Sequence, residues 1–229
     1  MSKRLTKAAG LIDRRSPYPL DRAVGLLKEL PPTKFDQSVE VSGALNIDPK
    51  KTEQVVRGTV ILPHGTGKVR RVVVFCKGEK ELLAKQAGAD VVGGGELIQR
   101  IQEGWLEFDV AVATPDMMRE VSRLGKLLGP RGLMPSPKAG SVTDDVAKAV
   151  KEVKQGRVEF KMDKLANIHF VIGRLSFTSD QLVENGRTAI EAIVRARPAT
   201  VKGNLIKTLS LSSTMSPGIP IKTDGLEAE

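Results

Sequence analysis

The sequence predicts an α/β domain inserted into an α+β domain that both chain ends build together. Three observations point there. The ends carry strands that alternate apolar with polar residues, whereas the middle carries near-continuous apolar strands separated by short helices. Glycines mark both changes of style, near Gly67 and Gly156. The resulting division is residues 1–67 with 160–229 for the outer domain and 68–159 for the inserted one. Paired crossings of this kind permit hinge motion.

Taken in order, residues 1–15 are basic, with Lys3, Arg4, Lys7, Arg14 and Arg15 against Asp13. Leu20, Val24, Leu27 and Leu30 recur at helical spacing until Pro31-Pro32 stops them. Residues 38–47 alternate as a half-buried strand, and residues 55–62 form a second strand ended by Pro63-His64-Gly65-Thr66-Gly67. In the middle, strands are predicted over 69–75, 89–92 and 108–113, with helices over 79–87, 95–103, from 116 onward, and over 144–154. Such alternation predicts a parallel sheet. After Gly156 come strands over 158–162 and 168–175, an amphipathic helix over 179–196 and a last strand over 205–213.

Composition limits the function. At 229 residues, 40% hydrophobic and 28% charged, the chain reads as globular and soluble. No apolar run approaches the ~20 residues of a membrane helix, and the basic start lacks a signal-peptide core. Cytoplasmic residence without a membrane partner is expected. The lone Cys76 lies in an apolar run and reads as a buried inert thiol, and two histidines are too few for most metal sites. A net charge of +9 favours a polyanion, since neutralised phosphates release counterions. Residues 1–67 and 160–229 hold 20 basic and 14 acidic side chains, so most of the excess lies in the outer domain. Only 3% of residues are aromatic, which turns the expectation from stacked bases toward shape and backbone contacts.

Catalytic motifs fail on inspection. Gly65-Thr-Gly67-Lys68 resembles the end of a phosphate-binding loop, but position 62 is leucine and Val69 stands where a magnesium-binding hydroxyl belongs. Gly93-Gly94-Gly95 suggests a dinucleotide fingerprint, yet Ile98 replaces its third glycine. A nucleotide-using enzyme built on the inserted domain is thus disfavoured, and no enzyme activity, cofactor or metal is expected.

Three stretches stand out instead. Residues 208–214 place Thr208, Ser210, Ser212 and Thr214 on one strand face, a row of uncharged hydroxyls beside Met215. In the stretch before the first outer strand, Lys34 suits a phosphate, Phe35 a sugar or base, and Glu40 a 2′-hydroxyl or amine. Residues 128–140 form a Gly- and Pro-rich loop with Leu133 and Met134 for anchoring and Arg131 and Lys138 for an anion. By composition that loop suits a structural clamp and a binding loop equally.

Met118-Arg-Glu-Val-Ser-Arg-Leu-Gly125-Lys-Leu-Leu-Gly129-Pro130-Arg131-Gly132-Leu-Met134-Pro135 resembles the signature of the L-one family of large-subunit ribosomal proteins. Lys34-Phe35-Asp36, Arg57-Gly58-Thr59, Leu62-Pro63-His64-Gly65, Asp163-Lys164 and Ser213-Thr214-Met215 follow in that family's order, so the resemblance runs from about residue 3 to 222. It implies a split α+β sandwich with an inserted Rossmann-like, three-layer α/β domain. It also implies binding to folded large-subunit rRNA, a mobile stalk near the tRNA exit site, help in releasing tRNA, and repression of the protein's own mRNA. The implied partners are that rRNA, exit-site tRNA, the messenger and other ribosomal components, with no stable homo-oligomer. RNA contacts carry over to Lys34, Phe35, Glu40, Thr208, Thr214 and Met215. Lys161, Lys164, Arg131 and Lys138 are secondary candidates for RNA or interdomain contact. Two residues depart from the family's pattern: Ser216 and Ala166 stand where glycine is usual.

Overall fold

The computed structural model describes residues 3–137, 140–201 and 203–223. Backbone contacts divide the chain into two compact units, Met1–Gly67 with Val158–Glu229, and Lys68–Arg157.

The first unit opens with helices α1 (Lys3–Gly10) and α2 (Leu20–Glu29), then strands β1 (Ser38–Leu45) and β2 (Arg57–Ile61). The second holds β3 (Val72–Phe75), α3 (Glu79–Gln86), β4 (Val91–Gly93), α4 (Gly95–Gln102) and β5 (Val110–Ala113). Two single-turn helices follow, α5 (Met118–Val121) and α6 (Gly125–Leu128), and then α7 (Val146–Lys154). The chain returns through β6 (Arg157–Lys161), β7 (Asn167–Arg174), α8 (Ser179–Arg195), β8 (Ile206–Ser213) and β9 (Ile219–Ile221).

In the first unit an antiparallel sheet has the order β7-β1-β8-β9, and β2 pairs with β6 in a separate ribbon. The strict alternation of β1 buries Val39 and Val41 while its intervening side chains stay half-exposed. Leu20, Val24 and Leu27 of α2 and Leu182, Ala189, Ile190 and Ile193 of α8 join one core with the inward residues of β1, β7 and β8. Those two helices therefore cover one face of the sheet. A capping box starts α8: Gln181 N–H donates to Thr178 Oγ1 at 3.3 Å, and Thr178 N–H donates to Gln181 Oε1 at 3.0 Å.

In the second unit, β4-β3-β5 is a parallel sheet in which successive residues of β3 enter different cores. Val73 and Phe75 pack with α4 and the 117–128 turns, whereas Val72 and Val74 pack with α3 and α7. Both faces are covered, which explains the apolar runs that mark these strands. The strand expected from residue 69 begins at Val72, because pairing with β5 starts with Val72 opposite Val110; Val69 is 86% exposed. The helix expected from residue 116 breaks into short α and 3-10 turns.

Ala166 is the one non-glycine residue with positive φ, 62°, among the described residues, and it is buried. Its N–H donates to the Asp163 carbonyl and its own carbonyl accepts from Leu45 N–H, so the turn before β7 holds it in the left-handed region. That region costs a side chain about 1–2 kcal/mol, against ~0.8 kcal/mol for burying one methyl. Ala166→Gly should therefore raise stability by a few tenths to about 1 kcal/mol in chemical denaturation. A loss of stability would show that the buried methyl outweighs the strain.

Candidate nucleic-acid interface

The second face of the four-stranded sheet bears the hydroxyls. Cross-strand register lays them out in rows: Asn167, Ala44 and Thr208; then His169, Ser42, Ser210 and Pro220; then Val171, Glu40 and Ser212. All of these side chains are exposed or half-exposed. Glu40 is the only acid among them. Part of the hydroxyl capacity is already used, since Ser210 Oγ donates to the Ser42 carbonyl at 3.2 Å and Ser42 Oγ lies 3.0 Å from His169 Nδ1. The rest faces solvent as neutral groups able both to donate and to accept.

At one end of this face the two sequence clusters meet. Ser38 N–H donates to Thr214 Oγ1 at 3.0 Å, and Thr214 N–H donates to the Ser38 carbonyl at 3.1 Å. Thr214 is exposed, but β8 ends at Ser213, so its hydroxyl belongs to this clamp rather than to the open row that its spacing predicted. Phe35 and Met215, 53% and 51% exposed, flank the junction, and Lys34 is exposed beside Phe35. Asp36 fixes the loop that carries them: its carboxylate accepts from Ser176 N–H at 3.1 Å and Ser176 Oγ at 2.9 Å, and its carbonyl accepts from the Arg174 guanidinium at 3.2 Å.

Sequence reasoning missed Gln37, which sits beneath this junction and is 3% exposed. Its Oε1 accepts from Ser213 Oγ at 2.9 Å and from Met215 N–H at 3.0 Å. Its backbone carbonyl accepts from Leu175 N–H. Arg4 of α1 was noticed only as part of a basic run, yet its guanidinium donates to the carbonyls of Met215 and Pro31. Ser216 does not take a positive φ, so no glycine is required there. Its hydroxyl accepts from Ser213 N–H at 2.8 Å and lies 3.0 Å from the Pro217 carbonyl, closing the turn under Met215.

Two of the secondary candidates, Lys161 and Lys164, stand apart from this site. Lys161 and Lys164 are exposed and line a separate cavity of about 490 Å³ with Pro49, Val55, Met162 and Asp163. There the Asn167 and Leu165 N–H groups hold the Asp163 carboxyl below its usual range, Asn167 more strongly. Arg131 is exposed in the other unit, and Lys138 lies outside the described residues. The 128–140 loop anchors itself: Leu133 and Met134 pack on the core below, and Pro135 is buried. Ser136 N–H donates to Ser141 Oγ at 2.8 Å, and Ala113 N–H donates to the Ser141 carbonyl, tying the loop to the end of β5. These contacts pin the described part of the loop, on which Arg131 stays exposed.

A hydroxyl-bearing sheet face with one acid, Glu40, and with the exposed Phe35, Met215 and Lys34 at its end is a surface suited to RNA. Residues 27–217 match the Ribosomal protein L1p/L10e family. The chain is also 56% identical to the large ribosomal subunit protein uL1 of Kosmotoga olearia over 220 residues, 96% of this chain and 95% of that protein. The chain belongs to the ribosomal protein L1p/L10e family. It is accordingly a ribosomal, RNA-binding protein and not an enzyme.

Proposed function

We propose that this protein is a structural constituent of the large ribosomal subunit in the cytoplasm and binds folded large-subunit rRNA through the outer face of its four-stranded sheet and the adjoining 213–216 turn. In this reading residues 1–67 and 160–229 form the RNA-binding domain, and 68–159 form an inserted Rossmann-like domain. The complex forms the mobile stalk near the tRNA exit site and assists release of tRNA. The same surface represses translation of the protein's own mRNA by binding a site of similar shape.

The observation that carries this reading is the character of the sheet face. Hydroxyls on two neighbouring strands, Ser42 of β1 and Thr208, Ser210 and Ser212 of β8, can exchange hydrogen bonds with 2′-hydroxyls and phosphate oxygens of a folded RNA without the cost of burying a charge. Phe35 and Met215 supply apolar surface for one sugar or base each. Lys34 and the positive excess of this part of the chain supply the salt-dependent attraction. The chemistry is that of a binder of shape, in keeping with the scarcity of aromatic residues.

Co-sedimentation with large subunits tests it. The full chain should stay with large subunits through a high-salt wash and should bind refolded large-subunit rRNA more tightly than an unstructured RNA of equal length. Release at the wash, with equal affinity for both RNAs, would reduce the protein to a non-specific polyanion binder.

A further inference from the structure

We infer that Gln37 is the positioning residue of the RNA surface, acting through a single atom, its amide oxygen. This deepens the proposed function and rests on it. Both side-chain contacts of Gln37 end on Oε1, one from the Ser213 hydroxyl and one from the Met215 N–H. The Met215 N–H can only donate, so it fixes which end of the amide faces the turn. Among the described residues the amide nitrogen has no hydrogen-bond partner, and no fully buried side-chain polar atom lacks one. The nitrogen therefore reaches solvent, while the oxygen is the working end.

The location gives that oxygen its role. Thr214 stands between its two donors, and both Thr214 and Met215 are exposed. Held at Ser213 and at Met215, the turn keeps its backbone close to one conformation, which sets where the Met215 side chain leaves the chain. The Arg4 guanidinium holds the carbonyl of the same Met215, so that residue's backbone is gripped at both its N–H and its C=O. A loose turn would have to be ordered on binding RNA; a preset backbone removes that cost. The buried glutamine thus acts on RNA through Met215 and Thr214 without touching it.

Because only an acceptor is needed, Glu should replace Gln at this position and Met should not. Gln37→Glu keeps an oxygen for both donors; Gln37→Met keeps the volume and removes the oxygen. Filter binding of the full chain to refolded large-subunit rRNA, with a thermal melt of each variant, tests this. Gln37→Glu should bind within about threefold of the parent chain, and Gln37→Met should bind at least 10-fold more weakly while still folded. Binding of folded Gln37→Met within threefold of the parent chain overturns the inference, as does a Gln37→Glu variant as weak as Gln37→Met. If Gln37→Met does not fold, Ser213→Ala removes one donor to the same oxygen and should weaken binding about threefold to 10-fold; no change overturns the inference. A parent chain that fails to bind this RNA at all counts against the proposed function instead, so the two failures are distinguishable.

Discussion

Asn185→Leu should destabilise the protein by about 3 kcal/mol, the largest effect expected from any single side chain outside the apolar core. Asn185 lies in the middle of α8, where asparagine is a poor helix former, and it has no exposed surface. Its Oδ1 accepts from His64 N–H at 3.1 Å, and its Nδ2 donates to the carbonyls of Gly65 at 3.0 Å and Ile172 at 2.7 Å. One amide thus ties the helix both to β7 and to the Leu62-Pro63-His64-Gly65 turn that follows β2. Leucine keeps the branched shape and the number of heavy atoms but strands one N–H and two carbonyls, each costing roughly 1–3 kcal/mol where water cannot reach it. Partial access of water at the His64 and Gly65 end brings the sum down to about 3 kcal/mol. The neighbouring His64–Glu184 contact, 2.7 Å long, offers a control. Both its side chains are substantially exposed, so Glu184→Gln should cost under about 1 kcal/mol. Urea denaturation followed by circular dichroism checks both values. Asn185→Leu within 1 kcal/mol of the parent chain would mean that the turn relaxes and finds other partners.

How much of this was legible in the sequence depends on whether a residue's role is local. The alternation of β1 and the spacing of Leu182, Ala189, Ile190 and Ile193 in α8 are local patterns, and both elements stand where periodicity places them, within a residue or two. Helix α1 escaped notice because its one fully buried residue is Ala8, too small to mark an apolar stripe among Lys3, Arg4 and Lys7. Strand β9 is hidden because Pro220 lies at its centre, and proline demotes a strand reading; at this edge the bridge to Tyr18 uses the Pro220 carbonyl and the Lys222 N–H, so β9 tolerates the missing N–H.

The site divides in the same way. Lys34, Glu40 and Thr208 have the exposure their polar types suggest, whereas Phe35 and Met215 are exposed against their apolar type, as a contact role requires. The contacts that assemble them join residues about 176 apart in the chain, and nothing near Gln37 in the sequence announces that a glutamine is buried there. Thr214 shows the opposite error: its spacing extends the hydroxyl row, but the strand ends one residue earlier and the hydroxyl turns to Ser38. The two departures from the family's pattern also separate. Ala166 occupies a left-handed conformation where glycine would be at ease, whereas Ser216 stands in an ordinary conformation that its own hydroxyl helps to hold.

Phe35→Ala and Met215→Ala should each weaken binding to refolded large-subunit rRNA by more than 10-fold, with the folded state left nearly as stable as before. Both side chains have about half their surface in water in the free protein, so truncation removes little of the core. On binding, each has roughly 80–100 Å² left to cover, worth about 2 kcal/mol at ~25 cal/mol per Å². A tenfold change in affinity is 1.4 kcal/mol, so the loss expected from each variant lies between about 10- and 100-fold. Because Gln37 links the segment carrying Phe35 to the turn carrying Met215, their effects should not add: the double variant should lose less than the product of the single losses. Lys34→Ala gives a contrasting signature. It should weaken binding more modestly and lower the slope of log affinity against log salt by up to one unit, whereas the two apolar truncations should leave that slope alone. Val69, still more exposed but in the other unit, serves as the control, and Val69→Ala should leave RNA affinity unchanged. Filter binding across a salt series distinguishes these outcomes. If Phe35→Ala and Met215→Ala bind within threefold of the parent chain while Lys34→Ala loses as much as they were expected to, the surface is an electrostatic platform and the apolar pair has no part in recognition.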